Sequence, residues 1–267
     1  MKVARTVVIT VITQVLLWQA IGHAAPVYAA EDTVVAGSQS DSPQVVIAVL
    51  DSGIDETHED LAGKVVASIN LTDSPTASDR LGHGTHVAGI IAAKTVDETI
   101  CLLNVKIADD KGLVWPTVLA EGIVWAVDNG AQIINTSLAI PTGSSALEEA
   151  VGYASSRGVI IIAAAGNNAS SIAAYPASYA NVIAVAATNE AGSVWSQSNN
   201  GEWVDVYAPG VDIYSTLPGN SYGYKSGTSM ATPYVSAEAG LLFTAVEDIN
   251  GDGEISDEVR AAIENGL

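Results

Sequence analysis

The chain has 267 residues, of which 48% are hydrophobic and 6% aromatic, and its formal net charge is -20. This apolar content excludes an intrinsically disordered chain, and the length suits one or two domains. The negative charge disfavours nucleic acid and anionic membranes as partners, because both carry charge of the same sign.

The first 29 residues have the regions of an export signal. Lys2 and Arg5 provide a positive start, an apolar stretch covers 7–21, and small residues precede a cut after Ala29, with Ala24 as the alternative. An uncleaved membrane anchor is the competing interpretation, but Thr and Gln residues make the stretch a poor span. We expect a secreted protein, extracellular or periplasmic, with no stable membrane association after cleavage. The predicted divisions are a signal peptide at 1–29, a flexible lead-in at 30–43 and a folded domain at 44–267.

Beyond the lead-in, strand-like apolar runs alternate with helix-like segments. In chain order the pattern predicts a strand at 45–50, a helix at 83–94, a strand at 101–107, a helix at 116–129, a short strand at 133–134, a helix at 145–157, strands at 159–164 and 182–187, and helices at 228–246 and 257–265. Such alternation is typical of a parallel sheet covered on both faces. We therefore predict an α/β fold, a three-layer sandwich with a mostly parallel central sheet. In such sheets the functional crevice lies beyond the carboxyl ends of the strands.

Four short strings along the chain carry groups that can perform one reaction. Asp51 stands in VLDSGID, His83 in GHGTHVAG, Asn167 in IIAAAGNN and Ser229 in GTSMATP. An acid, an imidazole and a hydroxyl can together turn a weak alcohol into a nucleophile, and a side-chain amide can donate to a developing oxyanion. A turn role for Asp51 and Asn167, and a helix cap for Ser229, are the structural alternatives. The four strings in this order favour catalysis.

The order Asp, His, Asn, Ser resembles that of the subtilisin-like serine proteases (subtilases), and the likeness runs from about residue 44 to the C-terminus. The resemblance implies a subtilisin-like peptidase domain at 44–267, a serine endopeptidase that forms an acyl-enzyme with protein or peptide substrates. It implies a triad of Asp51, His83 and Ser229. It also implies an oxyanion hole formed by Asn167 and the Ser229 amide. We expect a monomer that needs no organic cofactor.

The resemblance also implies where a substrate peptide binds, as a strand added between two enzyme segments. The matching positions are Gly112, Leu113, Val114, Ser137, Leu138 and Ala139, and the primary side-chain pocket is bordered by Ala164, Ala165 and Gly166. Trp115 or Leu119 is expected to wall a second apolar pocket. Subtilases usually have two glycines where this chain has Ala139-Ile140. We therefore predict a preference for small or medium side chains before the scissile bond.

Near the C-terminus, the string DINGDGEI has the acidic spacing of an EF-hand calcium loop, with Asp248, Asn250 and Asp252 at its first, third and fifth positions. The twelfth position is Val259, where a Glu that binds calcium with both oxygens belongs. A plain turn into the last helix therefore competes with calcium binding. Calcium is a candidate ligand and not a required cofactor. Its candidate ligands are Asp248, Asn250, Asp252 and Glu254.

Several other titratable residues are weaker candidates for the site. Asp55 and Asp60 compete with Asp51 for the acid role, but their polar loop positions suit surface or ion contacts better. His86 follows His83 by one helical turn, and two histidines without an acidic third ligand are weak grounds for a metal site, so a structural role is expected. The single cysteine, Cys101, stands in an apolar run. It is expected to be a buried thiol and not the nucleophile of a thiol protease.

Two other functions compete with catalysis by an active protease. One is a catalytically impaired subtilase-fold protein that acts in binding or structure. Ala139-Ile140 and the short lead-in at 30–43, which leaves no room for the usual pro-domain, motivate it, and the intact strings oppose it. We expect instead an enzyme that folds without a pro-domain. The other is a nucleotide-binding protein, which is disfavoured because the third glycine of a phosphate loop starting at Gly82 is misplaced, at Gly89.

Overall fold

The structure, a computed structural model, describes residues 45–95 and 99–266. The predicted signal peptide at 1–29 and the lead-in at 30–43 lie outside the described residues. The elements in chain order are β1 Val45–Asp51, β2 Val65–Asn70, α1 Gly84–Lys94, β3 Ile100–Lys106, α2 Pro116–Asp128, β4 Ile133–Thr136, α3 Ser145–Ser156, β5 Ile160–Ala164, β6 Val182–Thr188, β7 Val206–Pro209, β8 Ile213–Leu217, β9 Ser221–Lys225, α4 Thr228–Ala245 and α5 Ser256–Glu264.

The central sheet has seven strands in the order β2-β3-β1-β4-β5-β6-β7, and every neighbouring pair is parallel. Strands β8 and β9 form a separate antiparallel hairpin. The inner strands β1, β3, β4, β5 and β6 are almost wholly buried, as expected where helices cover both faces of a sheet. The predicted mostly parallel α/β sandwich is confirmed.

Alternate residues of the strands face two separate cores. Ile47 and Val49 of β1 pack with side chains of α1, α4 and α5, whereas Ala48 and Leu50 pack with those of α2 and α3. The result is three layers, helices on each side of the sheet. Within the described residues, no helix is both long and apolar enough to cross a membrane.

All ten predicted elements are present, and their ends agree with the structure to within two residues. Four strands were not predicted: β2, β7, β8 and β9. These strands are partly exposed, so they lack the continuous apolar run by which the buried strands are recognised. The predicted buried state of Cys101 is confirmed, and burial raises the pKa of its thiol.

Helix α1 lies directly against the β8–β9 hairpin because Gly89 has no side chain. Ser215 Oγ donates to the carbonyl of His86 at 2.8 Å, and Thr216 Oγ1 donates to the carbonyl of Thr85 at 2.7 Å. A Cβ atom on Gly89 would overlap Thr216 Oγ1 and lie 2.5 Å from Ser215 Oγ. Gly89 therefore sets how closely the helix and the hairpin approach each other.

Gly89→Ala is expected to lower the free energy of unfolding by about 1–3 kcal/mol, because the added methyl group must separate α1 from the hairpin. Gly152→Ala in α3 is the matched control, since no atom lies within 4 Å of a Cβ atom at that position. This control should raise stability by about 0.5–1 kcal/mol. Urea unfolding followed by circular dichroism, with Ser229→Ala in each chain to prevent self-digestion, measures both. Equal changes at the two sites would contradict the close approach.

Candidate active site

The candidate site lies at the carboxyl edge of the sheet, where three neighbouring strands end. Asp51 is the last residue of β1, Ser137 follows β4, and Asn167 follows β5 by three residues. Val49 of β1 is paired with Asn135 of β4, so Asp51 and Ser137 are level with each other on strands about 4.8 Å apart. The parallel register therefore brings together residues that are far apart in the chain.

Asp51 and His83 form a hydrogen-bonded pair. Asp51 Oδ1 lies 2.7 Å from His83 Nδ1, and it also accepts a 2.7 Å hydrogen bond from the Ser52 amide. The side chain of Asp51 is 1% exposed and that of His83 is 31% exposed. An ionised carboxylate can only accept, so His83 Nδ1 carries the hydrogen and Nε2 is free to act as the base.

Two opposing effects set the pKa of His83. Burial lowers this pKa, whereas the charge of Asp51 and the hydrogen bond to it raise it, and the net result is a raised pKa. The cause is that the neighbouring carboxylate favours the imidazolium form. A base with a raised pKa holds a proton more strongly once it has taken it from a nucleophile.

The second glycine of GHGTHVAG lets His83 approach Asp51. A Cβ atom on Gly84 would overlap the carbonyl oxygen of Gly53 and lie 3.0 Å from Asp51 Cβ. Helix α1 begins at Gly84, so its first turn lies directly against the end of β1. Any larger residue at this position would separate the imidazole from the carboxylate.

Ser229 is the second residue of α4, and two reciprocal hydrogen bonds join it to Ser137. Ser229 Oγ donates to the Ser137 carbonyl, and Ser137 Oγ donates to the Ser229 carbonyl, each at 2.9 Å. Pro233 lies four residues after Ser229 and has no amide hydrogen, so it leaves the Ser229 carbonyl without a helical partner. The proline of GTSMATP thus frees the carbonyl that Ser137 binds, a role that the sequence analysis did not identify.

The hydroxyl of Ser229 is not bonded to His83 in this structure. Among the described residues its hydrogen-bond partner is the Ser137 carbonyl. Catalytic hydrogen bonds are often formed only when substrate is bound, so this arrangement does not remove Ser229 as the candidate nucleophile. Before Ser229 can attack a substrate, its hydroxyl group must exchange its hydrogen bond to the Ser137 carbonyl for one to His83 Nε2.

Asn167 is exposed and joined to the first residue of α4. Its Oδ1 accepts hydrogen bonds from the Thr228 amide at 2.8 Å and from Thr228 Oγ1 at 3.0 Å. Thr228 Oγ1 in turn accepts a 3.0 Å hydrogen bond from the Gly166 amide. Because Oδ1 is occupied, Nδ2 remains as the donor that Asn167 offers next to Ser229. Thr228 was missed in the sequence analysis, although it lies within GTSMATP.

The expected substrate-binding positions surround this edge. Leu113 and Trp115 are both exposed. Leu81 is exposed as well, and a Cβ atom on Gly112 would lie 3.6 Å from its Cδ1. Leu119 lies on the inward face of α2 and is fully buried in the core, so it cannot border an open pocket. Of the two residues proposed for the second apolar pocket, only Trp115 is still a candidate. The residues before Asn167 are buried up to Gly166.

The weaker candidates are engaged in structural contacts. His86 is buried, with Nε2 at 3.0 Å from the Ile213 carbonyl and 3.1 Å from the Gly223 carbonyl. Burial lowers the pKa of His86 to about 4, so this ring is neutral at neutral pH and holds the hairpin to α1. Asp55 accepts hydrogen bonds from Thr57 and the Gly219 amide, and Asp60 accepts one from Tyr222.

In the proposed calcium loop, side-chain oxygens of the candidate ligands Asp248, Asn250 and Asp252 accept hydrogen bonds from backbone amides of the loop itself. Asp248 accepts hydrogen bonds from the amides of Gly251 and Gly253, while Asn250 and Asp252 each accept one from the amide two residues later. Across residues 45–95 and 99–266, no group of three or more His, Cys, Asp or Glu side chains is arranged to hold a metal ion. Calcium binding by this loop stays a prediction.

Comparison with known proteins gives matches that span most of the chain. The family described as the subtilase family matches residues 42–266. The chain is 45% identical over 227 residues to a thermophilic serine proteinase of Bacillus sp. (strain AK1), covering 82% of this chain and 55% of that protein. It is 43% identical over 228 residues to thermitase of Thermoactinomyces vulgaris, covering 82% of this chain and 79% of thermitase. The crystal structure of a cold-adapted subtilisin-like serine proteinase matches with a TM-score of 0.75 at 30% identity, covering 86% of this chain and 84% of that one.

Proposed function

Since this chain belongs to the subtilase family of serine endopeptidases, we propose that it hydrolyses peptide bonds in protein substrates through an acyl-enzyme formed on Ser229. The observation that carries the proposal is the buried 2.7 Å contact between Asp51 and His83. A buried carboxylate that holds the Nδ1 hydrogen of an imidazole leaves Nε2 as a general base.

The reaction proceeds in two halves. Ser229 Oγ attacks the scissile carbonyl while His83 Nε2 takes the hydroxyl proton, and the Asp51 charge stabilises the resulting imidazolium. Asn167 Nδ2 and the Ser229 amide, at the start of α4, donate to the oxyanion. His83 then gives its proton to the leaving amine, and a water molecule activated by His83 hydrolyses the acyl-enzyme. Asp51, His83, Asn167 and Ser229 together supply every proton transfer and charge contact in this scheme.

The proposed location is outside the cytoplasm, extracellular or periplasmic. The support is the predicted signal at 1–29, with Lys2 and Arg5 before an apolar stretch and small residues before Ala29. The excess of acidic residues, 30 against 10 basic ones, is compatible with a soluble exported protein. We expect the mature enzyme to act as a monomer.

The proposed nucleophile is tested by reacting the purified protein with a fluorophosphonate probe. Stoichiometric labelling that mass spectrometry maps to Ser229 is expected, because only a serine activated by a base reacts quickly. Ser229→Ala should remain unlabelled and lose peptidase activity. A folded protein that is neither labelled nor active would support the catalytically impaired alternative.

Substrate selection is expected to depend on Ala139. A Cβ atom on Gly166 would lie 3.3 Å from Ala139 Cβ, so the two segments that border the proposed primary pocket are close together there. Peptides with Phe before the scissile bond should have kcat/KM values roughly tenfold or more below those with Ala, because the larger side chain meets this methyl group. Ala139→Gly should raise kcat/KM for the Phe peptide and leave the Ala peptide nearly unchanged. Preference of the unmodified enzyme for Phe over Ala would contradict a narrowed pocket.

A further inference from the structure

A second buried carboxylate, Asp79, lies between the end of β1 and the start of α1. Asp79 is 5% exposed, yet both of its oxygens are fully engaged. Oδ1 accepts hydrogen bonds from Ser52 Oγ, the Leu81 amide and the Gly82 amide, each at 2.9 Å. Oδ2 accepts from the amide and the hydroxyl of Thr85, at 2.9 and 2.7 Å. These five hydrogen bonds occupy both oxygens of the Asp79 side chain.

The residues that bind Asp79 adjoin both members of the proposed acid–base pair. Ser52 directly follows Asp51, and its amide donates to Asp51 Oδ1 at 2.7 Å. Ser52 Oγ also accepts a 3.0 Å hydrogen bond from the amide of Gly84, the residue after His83. A single carboxylate thus connects the loop that carries the acid to the turn that carries the imidazole.

Every polar group of Ser52, which are its amide, its hydroxyl and its carbonyl oxygen, forms a hydrogen bond. Besides the bonds of its amide and hydroxyl, its carbonyl oxygen accepts a hydrogen bond from Nζ of Lys106, a fully buried lysine at the end of β3. Lys106 Nζ also lies 3.1 Å from Asp110 Oδ1. The backbone beside Asp51 is therefore fixed from β3 as well as from Asp79, and the turn that carries His83 is fixed by Asp79 and Ser52.

We infer that Asp79 is a positioning residue, which holds the His83 turn at hydrogen-bonding distance from Asp51 and presents a second negative charge to the imidazole. The inference rests on the proposed function, because it assigns Asp79 a task only in a site where His83 is the base. Asp79 makes no contact with the reacting atoms, so it acts through Ser52, Gly82 and Thr85.

The charged groups around His83 indicate how the loss of Asp79 should change the pKa of His83. The charges of Asp51 and Asp79 raise the pKa of His83, whereas burial and the charge of Lys225, at the end of β9, lower it. His86 also lies near His83, but its pKa of about 4 leaves it uncharged at neutral pH. Removing the Asp79 charge alone should therefore lower the pKa of His83, with Asp51 and Lys225 unchanged.

The test is Asp79→Asn, a substitution of nearly equal shape that removes the charge and turns one acceptor into a donor. The reaction of Ser229 with a fluorophosphonate and the kcat for a peptide should both fall roughly a hundredfold, because small displacements of catalytic groups cost rates of that order. KM should change little, since Asp79 does not touch substrate. The acid limb of the labelling rate should move to lower pH, a shift that a merely structural role would not produce.

Two further variants make the test decisive. Asp73→Asn removes an exposed carboxylate from the same loop and should match the parent in rate and pH profile. Ser52→Ala removes the hydroxyl link but keeps the Asp79 charge, so kcat should fall while the acid limb moves less than in Asp79→Asn. If Asp79→Asn does not fold, as judged by circular dichroism, Ser52→Ala decides the question.

The outcomes separate this inference from the proposed function. Parental kcat and an unshifted acid limb in folded Asp79→Asn, or parental kcat in Ser52→Ala, would overturn the positioning role while the triad stands. Absence of labelling in the unmodified protein would overturn the proposed function itself. A lower kcat with unchanged KM and an acid limb at lower pH in Asp79→Asn would support the inference.

Discussion

His83→Ala is expected to lower kcat by about 10⁶-fold, the size of loss known for the equivalent change in subtilisin. Without the imidazole no group in the site can take the proton of Ser229, since Asp51 lies behind His83 on its Nδ1 side. The residual rate should reflect binding of substrate and donation to the oxyanion alone. Steady-state hydrolysis of a chromogenic peptide, with folding verified by circular dichroism, measures the effect.

The decisive control for His83 is the double variant with Ser229→Ala. Groups that act as one unit have strongly non-additive effects, so the double variant should be about as slow as either single one. Losses that multiply would mean that His83 and Ser229 act independently, which contradicts a shared proton transfer. The fluorophosphonate probe provides a second measurement, because His83→Ala should retain Ser229 but lose its rapid labelling.

Asp51→Asn is expected to lower kcat by about 10⁴-fold, again the order of loss known in subtilisin. The amide keeps the shape of the carboxylate, but it does not hold the hydrogen on His83 Nδ1, and it supplies no charge to stabilise the imidazolium. Asp51 Oδ1 is 2.7 Å from His83 Nδ1. Among the described residues, no second carboxylate is hydrogen-bonded to this imidazole and could replace the lost charge.

The pH profile gives an independent measure of the role of Asp51. Catalysis needs neutral His83, so kcat/KM falls as pH drops through the pKa of this group in the free enzyme. The charge of Asp51 raises that pKa above its ordinary value of 6.5, and the acid limb of the parent should therefore lie above pH 6.5. In Asp51→Asn the acid limb should move to lower pH.

Asp55→Asn is the matched control for Asp51→Asn. Asp55 was the nearest rival for the acid role, and its carboxylate instead accepts hydrogen bonds from Thr57 and Gly219. Its removal should leave kcat and the acid limb close to those of the parent. A large loss in Asp55→Asn together with a small one in Asp51→Asn would reverse the two assignments.

Much of the fold could be predicted because its signals are local. The inner strands are apolar on both faces, and helices such as α3 have recognisable ends, with Ser144 capping the Leu147 amide and Gly158 following the last turn. The edge strands β2 and β7 and the β8–β9 hairpin were missed because exposure on one face interrupts the apolar pattern.

The candidate site also has a part that could be predicted from the sequence and a part that could not. The strings around Asp51, His83, Asn167 and Ser229 were recognisable, because each holds a reactive side chain among small residues that allow close approach. Leu119 was offered for a second pocket but lies in the core, since the inward face of α2 depends on how that helix packs on the sheet. Sequence spacing alone could not separate Trp115 from Leu119.

The sequence by itself determined the class of fold, the order of the inner strands along the chain and the four reactive side chains, because all of these depend on neighbouring residues. Only the tertiary structure decided which distant groups meet. The parallel register of β1 and β4 brings Ser137 level with Asp51, and Ser229 of α4 is hydrogen-bonded to Ser137. Asp79 joins Ser52 to the turn of His83. Such contacts depend on how strands and helices pack in three dimensions, and no local pattern of residues specifies them.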